Sequence, residues 1–425
     1  MGNDMFYNTP GRRNTGRKRR STGGFRWFAG LRNMMRGDDD SYGGLATAGR
    51  SKVQSDPPVW RLADAVMTCL TLAGIVAALL TLPVPYFSPT RLGVLPVLAL
   101  VAPLVFVCVV IAMLYWIVRW KWRRASVMIV LALACMLHLP RYFNPQFRRS
   151  YDDDKNYPRS AMRVMSYNVR CFFPDDHSAD YTTDSIAAFV RQFNPDVICF
   201  QEFLPHSAQM RHRFDSLLGG DYRVAVMDAA HPPIAIYSRF RIASSERVAY
   251  LDADSVKRGK GMWADLLVGN DTVRVFNVHL NGTSISRDDA DYIVNYRYMS
   301  DSARNSKLHD IVRRLNNNTV NRSYHVDELA AAMQATDRAK ILCGDFNDTP
   351  MSYAYHTLAR DMKDAFCECG SGYSHTFRGF FDLLRIDFAL FDDRHFDVVS
   401  YEVPDSVCWS DHLPVCVRVE LQRET

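Results

Sequence analysis

Residues 339–348 read AKILCGDFND, an apolar run that ends in a glycine, two aspartates and an asparagine. A short apolar run bounded by turn-forming residues predicts a buried strand. Asp345 and Asn347 follow directly after this run, so they are expected at an edge of the sheet that the strand helps to form. The stretch therefore predicts a core strand that brings a carboxylate and an amide to a possible site.

Six other apolar runs have the same form and indicate further strands. They are MRVMSYNV at 162–169, DVICFQE at 196–202, PIAIYS at 233–238, VRVFNVHL at 273–280, RIDFALF at 385–391 and VCVRVEL at 415–421. Helix-like stretches such as 185–193 and 302–315 separate several of these runs. The pattern predicts an α/β fold built on two sheets.

The chain is too long for one small domain, and its charge is unevenly distributed. It has 425 residues, with 51 Lys and Arg against 46 Asp and Glu. Residues 1–60 contain 11 basic and 5 acidic side chains, whereas residues 150–425 contain 31 basic and 40 acidic ones, a net charge of −9. Because residues 1–60 also lack a periodic apolar pattern, they are predicted to be a disordered basic tail on the cytoplasmic side.

Residues 61–140 are predicted to form a helical transmembrane region. The stretch 62–82 contains a single charge, Asp64, and the stretch 92–118 contains none. Both reach the roughly 20 residues that a helix needs to cross a bilayer. A third uncharged stretch, 125–139, is shorter and either crosses the bilayer or lies along its surface.

The loop charges predict an orientation for this region. The tail and the connection Arg119-Trp-Lys-Trp-Arg-Arg124 are both basic and are expected on the cytoplasmic side. Three spans then place the following domain outside the cytoplasm, and two spans place it inside. We expect three spans, which makes the chain a multi-pass integral membrane protein with an extracytoplasmic domain.

A polar linker at 141–160 is predicted to lead into a soluble domain at 161–422. Within that domain the stretch from 281 to 338 is polar and partly helical, which is typical of an elaborated loop near a site. The basic run Lys257-Arg258-Gly259-Lys260 favours a solvated loop, with a phosphate-binding groove as the alternative. The sequence contains no paired CxxC pattern, which would predict a zinc site, and no GxxxxGK[ST] pattern, which would predict a nucleotide-binding loop.

Polar groups interrupt or end the predicted strands at comparable positions. Taken singly, each has a structural explanation; Asp387, for example, is a possible partner of Arg385. Taken together, they indicate a site that hydrolyses phosphoesters, because carboxylates and amides bind Mg²⁺ or Mn²⁺ and histidines handle protons. The set comprises Asn168, Glu202, His279, Asp345, Asn347, Asp387, Asp411 and His412.

The ordered motifs resemble those of the endonuclease/exonuclease/phosphatase superfamily, whose fold is a two-sheet α/β sandwich. The motifs are SYNVR at 166–170, QE at 201–202, IAIYSRF at 234–240, NVHLNG at 277–282, GDFND at 344–348, RIDFAL at 385–390 and SDHLPV at 410–415. The resemblance covers residues 160–421. It implies nothing about residues 1–150.

This resemblance implies a role for each polar position. Glu202 would be the main ligand of a Mg²⁺ or Mn²⁺ ion, supported by Asn168 and Asp411. His412, paired with Asp387, would be the catalytic histidine, and Asp345 would orient or deprotonate the attacking water. The resemblance leaves open which group is the general base. His279 and Asn347 would stabilise the phosphate oxygens, and Asn281, two residues after His279, is expected in the substrate shell.

Two functions follow as hypotheses from this sequence. The first is a membrane-tethered, metal-dependent phosphoesterase that acts on a phosphodiester in nucleic acid or in a phospholipid headgroup. The second is a catalytically silent, membrane-anchored binding module with the same fold. The predicted partners are the phosphodiester substrate and the lipid bilayer, and the sequence implies no protein partner.

Overall fold

A computed structural model describes residues 57–93, 95–146, 161–173, 177–227, 232–251, 257–282, 301–379 and 382–422. The predicted basic tail lies outside the described residues, apart from its last four, and so does most of the predicted linker. Residues Val59–Thr425 belong to one compact unit. This unit contains a helical part, residues 58–142, which we call the helical unit, and an α/β domain.

The helical unit contains three main helices and one short one. They are α1 (Pro58–Thr81), α2 (Pro89–Leu92), α3 (Ala102–Val118) and α4 (Trp122–Met136), and 3₁₀ turns cover Val84–Tyr86, Leu95–Val101 and Leu139–Arg141. Two segments, Pro58–Tyr86 and Leu95–Val118, are long and apolar enough to cross a membrane, with mean hydropathy of 2.3 and 3.1. By length and composition alone this is weak evidence for a membrane protein.

Polar contacts define one end of the helical unit. Near the start of α1, the carboxylate of Asp64 accepts hydrogen bonds from Arg119 (Nε, 3.0 Å) and from Tyr115 (OH, 2.7 Å) at the end of α3. Thr68, one turn further along α1, accepts a hydrogen bond of 2.9 Å from Arg124 in α4. The start of α1, the end of α3 and the start of α4 therefore meet at one end.

The α/β domain contains two six-stranded sheets. Their strands are β2 (Met162–Asn168), β3 (Val197–Gln201), β4 (Arg223–Met227), β5 (Ile234–Ser238), β6 (Arg241–Leu251), β7 (Lys257–Val268), β8 (Asp271–His279), β9 (Ala339–Asp345), β10 (Met362–Asp364), β12 (Asp387–Asp392), β13 (Phe396–Glu402) and β14 (Val415–Leu421). The strands of the first sheet lie in the order β13-β14-β2-β3-β5-β4, and those of the second in the order β10-β12-β9-β8-β7-β6. A separate pair joins β1 (Phe143–Asn144) to β11 (Gly372–Tyr373).

The two sheets pack face to face, and helices cover their outer faces. The core between the sheets contains Val164 and Ile236 from the first sheet and Val275 and Ile341 from the second. The outer face of the first sheet is covered by α5 (Ala179–Phe193) and α6 (Ala208–Leu217). The second is covered by α7 (Asp301–Gln334) and α8 (Tyr353–Leu358), and α9 (Ala365–Cys369) follows β10.

The fold confirms the predicted two-sheet α/β sandwich. Each of the seven apolar runs forms a strand, because each is buried on both faces, between the other sheet and the outer helices. The prediction for the basic run was wrong: Lys257–Lys260 begins strand β7 and pairs with the end of β6. The polar stretch after residue 281 was predicted to be partly helical, and the structure has the long helix α7 within it.

Candidate active site

Strand register brings three predicted site residues to one edge of the second sheet. His279 ends β8 and Asp345 ends β9, and the two are cross-strand partners in a parallel pair. Asp387 begins β12, which is antiparallel to β9, and it too is the partner of Asp345. A carboxylate, a histidine and a second carboxylate therefore lie side by side where the three strands meet this edge.

His412 lies between two buried carboxylates. Its Nδ1 is 2.9 Å from Oδ2 of Asp387, and its Nε2 is 3.8 Å from Oδ2 of Asp345. Burial alone would lower the pKa of His412, but the charges of Asp387 and Asp345 outweigh it and raise the pKa to about 10. The imidazole is therefore held as a cation whose orientation Asp387 fixes.

Thr376 and Phe377 support Asp387 and His412 from outside the pair. The hydroxyl of Thr376 accepts hydrogen bonds of 3.0 Å from the backbone N–H groups of Ile386 and Asp387. The ring of Phe377 lies 5.0 Å from the imidazole of His412. Thr376 and Phe377 lie in none of the motifs, so the sequence did not single them out.

Asp345 is the most constrained carboxylate of the site. One of its oxygens accepts a hydrogen bond of 2.8 Å from the backbone N–H of Asn347, and the other accepts from the side chains of Asn347 and Asn168, both at 3.1 Å. Burial is the main cause that raises the pKa of Asp345 to about 7, opposed by the charge of His412. This carboxylate can therefore exchange a proton near neutral pH.

The first sheet contributes the other half of the site. Asn168 ends β2, and Glu202 follows β3, which runs parallel to β2. The amide nitrogen of Asn168 donates to Oε1 of Glu202 at 3.3 Å as well as to Asp345, so it bridges the two sheets. Nε2 of His279 lies 3.6 Å from Glu202 and 3.7 Å from Asp345.

The donor set fits a divalent cation. Glu202, Asp345 and Asp387 bring three carboxyl groups to the strand ends where His412 lies, and the negative charge that they can carry is one that a divalent cation would offset. Asp345, Asp387 and His412 have ligand atoms within 4.8 Å of one another. However, Asp387 and His412 already bond to each other. The carboxylate of Glu202, which is 25% exposed, is not part of that group, and its role as the main metal ligand stays a prediction.

The remaining predicted residues lie around this centre. The side chain of Asn347, besides bonding to Asp345, donates to the carbonyl of Leu280 at 3.1 Å, which ties the ends of β8 and β9 together. The carboxylate of Asp411 lies 3.5 Å from Nε of Arg170, so its role as a metal ligand stays a prediction. Asn281 donates to the hydroxyl of Tyr250 at 3.1 Å.

Gly344 is required by the close approach of β8 to β9. Its φ is +150°, and a Cβ atom at this position would lie 2.0 Å from the carbonyl oxygen of Val278. Two other site residues, Glu202 and Asn347, have φ of +50° and +51°. Positive φ values, which are unfavourable for residues with a Cβ atom, therefore occur where these strands end at the site.

Two buried polar groups that the sequence analysis did not assign lock the sheets together beside the site. Gln201 of the first sheet donates to Oδ1 of Asn277 of the second at 2.7 Å. Asn277 in turn donates to the carbonyls of Phe200 and Ala235, both at 2.9 Å. Both residues belong to the quoted motifs QE and NVHLNG, and buried amides inside apolar strands were the signal that could have identified them.

Two family models match parts of this chain. Residues 165–412 match the model of the Endonuclease/Exonuclease/phosphatase family, and residues 64–142 match a family described only as a domain of unknown function. A sequence search of curated proteins found no match.

Solved structures with a similar fold include an endonuclease/exonuclease/phosphatase from Bacteroides vulgatus, with 20% identity and a TM-score of 0.43 over 62% of this chain and 100% of that one. The catalytic domain of human Nocturnin is 18% identical, with a TM-score of 0.42 over 62% and 94%. Truncated TDP2 from Caenorhabditis elegans is 15% identical, with a TM-score of 0.41 over 61% and 97%.

The family model spans more than half of the chain, and its match begins within the strand that carries Asn168 and ends at His412. The chain belongs to the endonuclease/exonuclease/phosphatase family.

Proposed function

We propose that the chain is a membrane-anchored phosphoesterase that hydrolyses a phosphodiester with the help of Mg²⁺ or Mn²⁺. The observation that carries this proposal is His412, buried between Asp387 and Asp345 at the strand ends that also present Glu202 and Asn168. Such a group of charges has a high cost of burial, which a catalytic role explains better than a structural one.

In the proposed reaction, water attacks the phosphorus atom in line with the leaving oxygen. Asp345, with its pKa near 7, accepts a proton from this water as the new P–O bond forms. The P–O bond to the leaving group breaks, the leaving oxygen takes up a proton from solvent, and Asp345 returns its proton to solvent, so that an alcohol and a phosphomonoester result. The imidazolium of His412 stabilises the charge on the phosphate oxygens.

Glu202 would hold the cation, with Asn168 orienting its carboxylate from behind. When bound, the ion supplies a positive charge that offsets the charge of the phosphate group. His279, within 3.6 Å of Glu202, is placed to contact the same phosphate oxygens. Each of these side chains comes from a strand end, so small motions of the sheets would not separate them.

The surface of the helical unit supports the proposed membrane anchoring. Large apolar side chains are exposed along all three main helices, among them Leu62, Leu79, Ile111, Val130 and Leu137. In water, so many exposed large apolar side chains are unfavourable, whereas in a bilayer they face lipid chains. The segments Pro58–Tyr86 and Leu95–Val118 have the length to cross.

Tryptophan and basic side chains at one end support an orientation. Trp60, Trp120 and Trp122 are 47%, 76% and 54% exposed at the end where Asp64 binds Arg119, and Arg61 and Lys121 are next to them in sequence. Indole rings favour the membrane interface, and basic residues favour the cytoplasmic side. This end is therefore proposed to be cytoplasmic, with the α/β domain outside.

The second hypothesis, a silent binding module, has weaker support. A binding module has no use for a buried imidazolium between two carboxylates, because that group has little contact with solvent and adds an energetic cost to the fold.

Turnover by the full chain in nanodiscs tests the proposal. We expect hydrolysis of bis(p-nitrophenyl) phosphate that EDTA abolishes and Mg²⁺ or Mn²⁺ restores. His412→Ala should remove it, whereas His212→Ala, a matched change at an exposed position on α6, should not. A folded, metal-loaded chain with no turnover of any phosphoester would establish the binding module instead.

A further inference from the structure

The helical unit contacts the α/β domain beside the catalytic loop after β9. The buried hydroxyl of Thr349, two residues after Asn347, donates a hydrogen bond of 2.9 Å to the carbonyl of Ala99. The side chain of Met351 is fully buried in a cluster with Ala99 and Phe106 of the helical unit. The loop that carries Asp345 and Asn347 therefore continues directly into this contact.

A second contact adjoins the strand that carries Asp387. Arg385, fully buried, donates to both oxygens of Asp364 and to the carbonyl of Arg141 at the end of the helical unit, at 2.9 Å. Arg385 is thus the partner of Asp364 and not of Asp387, which rules out the structural explanation for Asp387. Ser374, close to Thr376, donates its backbone N–H to the carbonyl of Tyr142.

A third contact runs through α7. Near its start, Ile311 and Leu315 pack against Val97. Further along α7, Arg322 donates to the carbonyl of Asn281 at 2.9 Å and binds the carboxylate of Asp348. One helix therefore touches both the helical unit and the loops that follow β8 and β9.

All three contacts lie at the same edge of the second sheet. They adjoin the carboxyl end of β8, the carboxyl end of β9 and the amino end of β12, which are the ends that carry His279, Asp345 and Asp387. The helical unit is thus docked on the catalytic edge of the domain. The opposite edge, where β7 turns into β8 at Asn270, is about 30 Å away along β8.

Chain geometry limits how far the site lies from the apolar span. Two residues extend at most about 7 Å, so the Cα of Asn347 is within about 15 Å of the Cα of Ala99 once the hydrogen bond is included. Ala99 is four residues into the segment Leu95–Val118, roughly 8 Å for a 3₁₀ turn. If this segment spans the membrane, Asn347 lies no more than about 7 Å beyond its outer end, which is within the headgroup layer of about 5–8 Å on each side.

Exposed apolar side chains lie at this junction. Phe143 and Tyr373, paired across β1 and β11, are each 39% exposed, and Leu383 is 44% exposed. The hydroxyl of Tyr373 donates to the carbonyl of Leu383. The next residue, Leu384, bridges to Phe377, the ring beside His412. An apolar patch thus joins the helical unit to the rim of the site.

We infer that the substrate is a phospholipid of the membrane that holds the enzyme, hydrolysed at a phosphodiester bond of its headgroup. This inference rests on the proposed function. If Leu95–Val118 spans the membrane, the site lies no further out than the headgroups, and the junction patch suits the interface. A DNA duplex, with one negative charge per about 1.7 Å, would have to approach an anionic bilayer and residues 150–425, whose net charge is −9.

The turnover test uses the full chain in nanodiscs of mixed phosphatidylcholine, phosphatidylethanolamine and phosphatidylglycerol. We expect Mg²⁺-dependent release of a phosphorylated or free headgroup, detected by mass spectrometry, and no cleavage of a DNA duplex. Turnover of bis(p-nitrophenyl) phosphate reports the catalytic machinery separately. If that compound or DNA is hydrolysed and no phospholipid is, this inference is overturned while the proposed function stands. If nothing is hydrolysed, both fail.

A second test locates the catalytic edge without any turnover. A photo-cross-linking benzoylphenylalanine replaces Leu383 in one preparation and Asn270, at the opposite edge, in another. We expect covalent phospholipid adducts at position 383 at least tenfold more abundant than at position 270. Equal labelling, or adducts only at position 270, would show that the catalytic edge does not face the membrane.

Discussion

Asp387 and His412 are joined by a buried hydrogen bond of 2.9 Å, although 24 residues lie between them in the sequence. The bond forms because Asp387 begins β12 at the edge where the loop before β14 carries His412. Asp345, on the neighbouring strand β9, approaches the other ring nitrogen at 3.8 Å. The imidazole of His412 therefore links the ends of β9 and β12, in the second sheet, to the loop before β14, which is a strand of the first sheet.

Replacing Asp387 by Asn tests the orientation of this imidazole. Asp387→Asn keeps the size of the side chain but removes the charge that stabilises the imidazolium. We expect kcat for bis(p-nitrophenyl) phosphate to fall by about 10²–10⁴. Asp397→Asn, a matched change at a side chain that is 55% exposed, should leave kcat unchanged. Equal kcat values for the two variants would contradict a role of Asp387 in turnover.

Glu202→Gln tests the assignment of the metal ligand. The amide keeps the hydrogen-bonding capacity toward Asn168 but loses the negative charge that attracts a divalent cation. We expect the Kd for Mn²⁺, measured by calorimetry, to rise by one to two orders of magnitude, and the metal concentration for half-maximal turnover to rise with it. An unchanged Kd would place the ion elsewhere, with Asp345 the next candidate.

Arg322→Met tests the clamp that α7 places on the catalytic loops. Arg322 is 2% exposed, and its loss leaves the carboxylate of Asp348 buried without its cation. We expect destabilisation of about 3–5 kcal/mol by chemical denaturation. Arg313→Met, on the same helix but 63% exposed, should cost less than about 0.5 kcal/mol.

A double variant separates the ion pair from simple loss of packing. If the uncompensated charge causes the loss, Arg322→Met combined with Asp348→Asn should be more stable than Arg322→Met alone. Additive losses in the two single variants would instead assign the effect to packing and to the hydrogen bonds from Arg322 to Asn281.

The sequence predicted those parts of the fold that depend on local patterns. Apolar runs ending in polar residues identified seven strands, and those polar residues include Asn168, Glu202 and Asp345 at the site. The strand that contains Lys257 escaped prediction because its start is a basic run without an apolar pattern, although its pairing partner, the end of β6 at Leu251, is only six residues earlier in the chain. The composition of a segment alone does not determine whether it pairs with a neighbouring strand.

Other parts of the site depend on tertiary contacts and left no local signal. Thr376 lies in a polar stretch, and only the folded chain brings its hydroxyl to the backbone of Asp387. Arg322 lies in the segment that was predicted to be polar and partly helical, where no single residue stood out, and its partner Asp348 belongs to a motif 26 residues away. Docking of Thr349 onto Ala99 joins segments 250 residues apart.

Gly344→Ala tests the close approach of β8 and β9. The added Cβ would meet the carbonyl of Val278 at 2.0 Å, and φ of +150° is unfavourable for alanine. We expect a loss of about 3 kcal/mol or more, together with loss of turnover, because Asp345 follows directly. At Gly219, φ is +86° with no atom within 4 Å, so Gly219→Ala measures the backbone effect alone and should cost clearly less.

Protection from protease tests the proposed orientation of the helical unit. Its two ends are distinct: Trp60, Arg119 and Trp122 lie at one end, and Ala99 and Tyr142 lie at the other, in the cluster that contacts the α/β domain. Because α4 returns from the first end to the second, three crossings place the α/β domain opposite the basic end.

In intact cells, protease should therefore remove an epitope tag placed after Thr425 and spare a tag placed before Met1. Permeabilised cells serve as the control, and both tags should be lost there. If both tags survive in intact cells, the chain crosses twice and the 15 residues of α4, about 22 Å of helix, do not span the bilayer. If the tag before Met1 is lost and the tag after Thr425 survives, the basic end faces outward and the rule that relates basic loops to the cytoplasm does not hold for this chain.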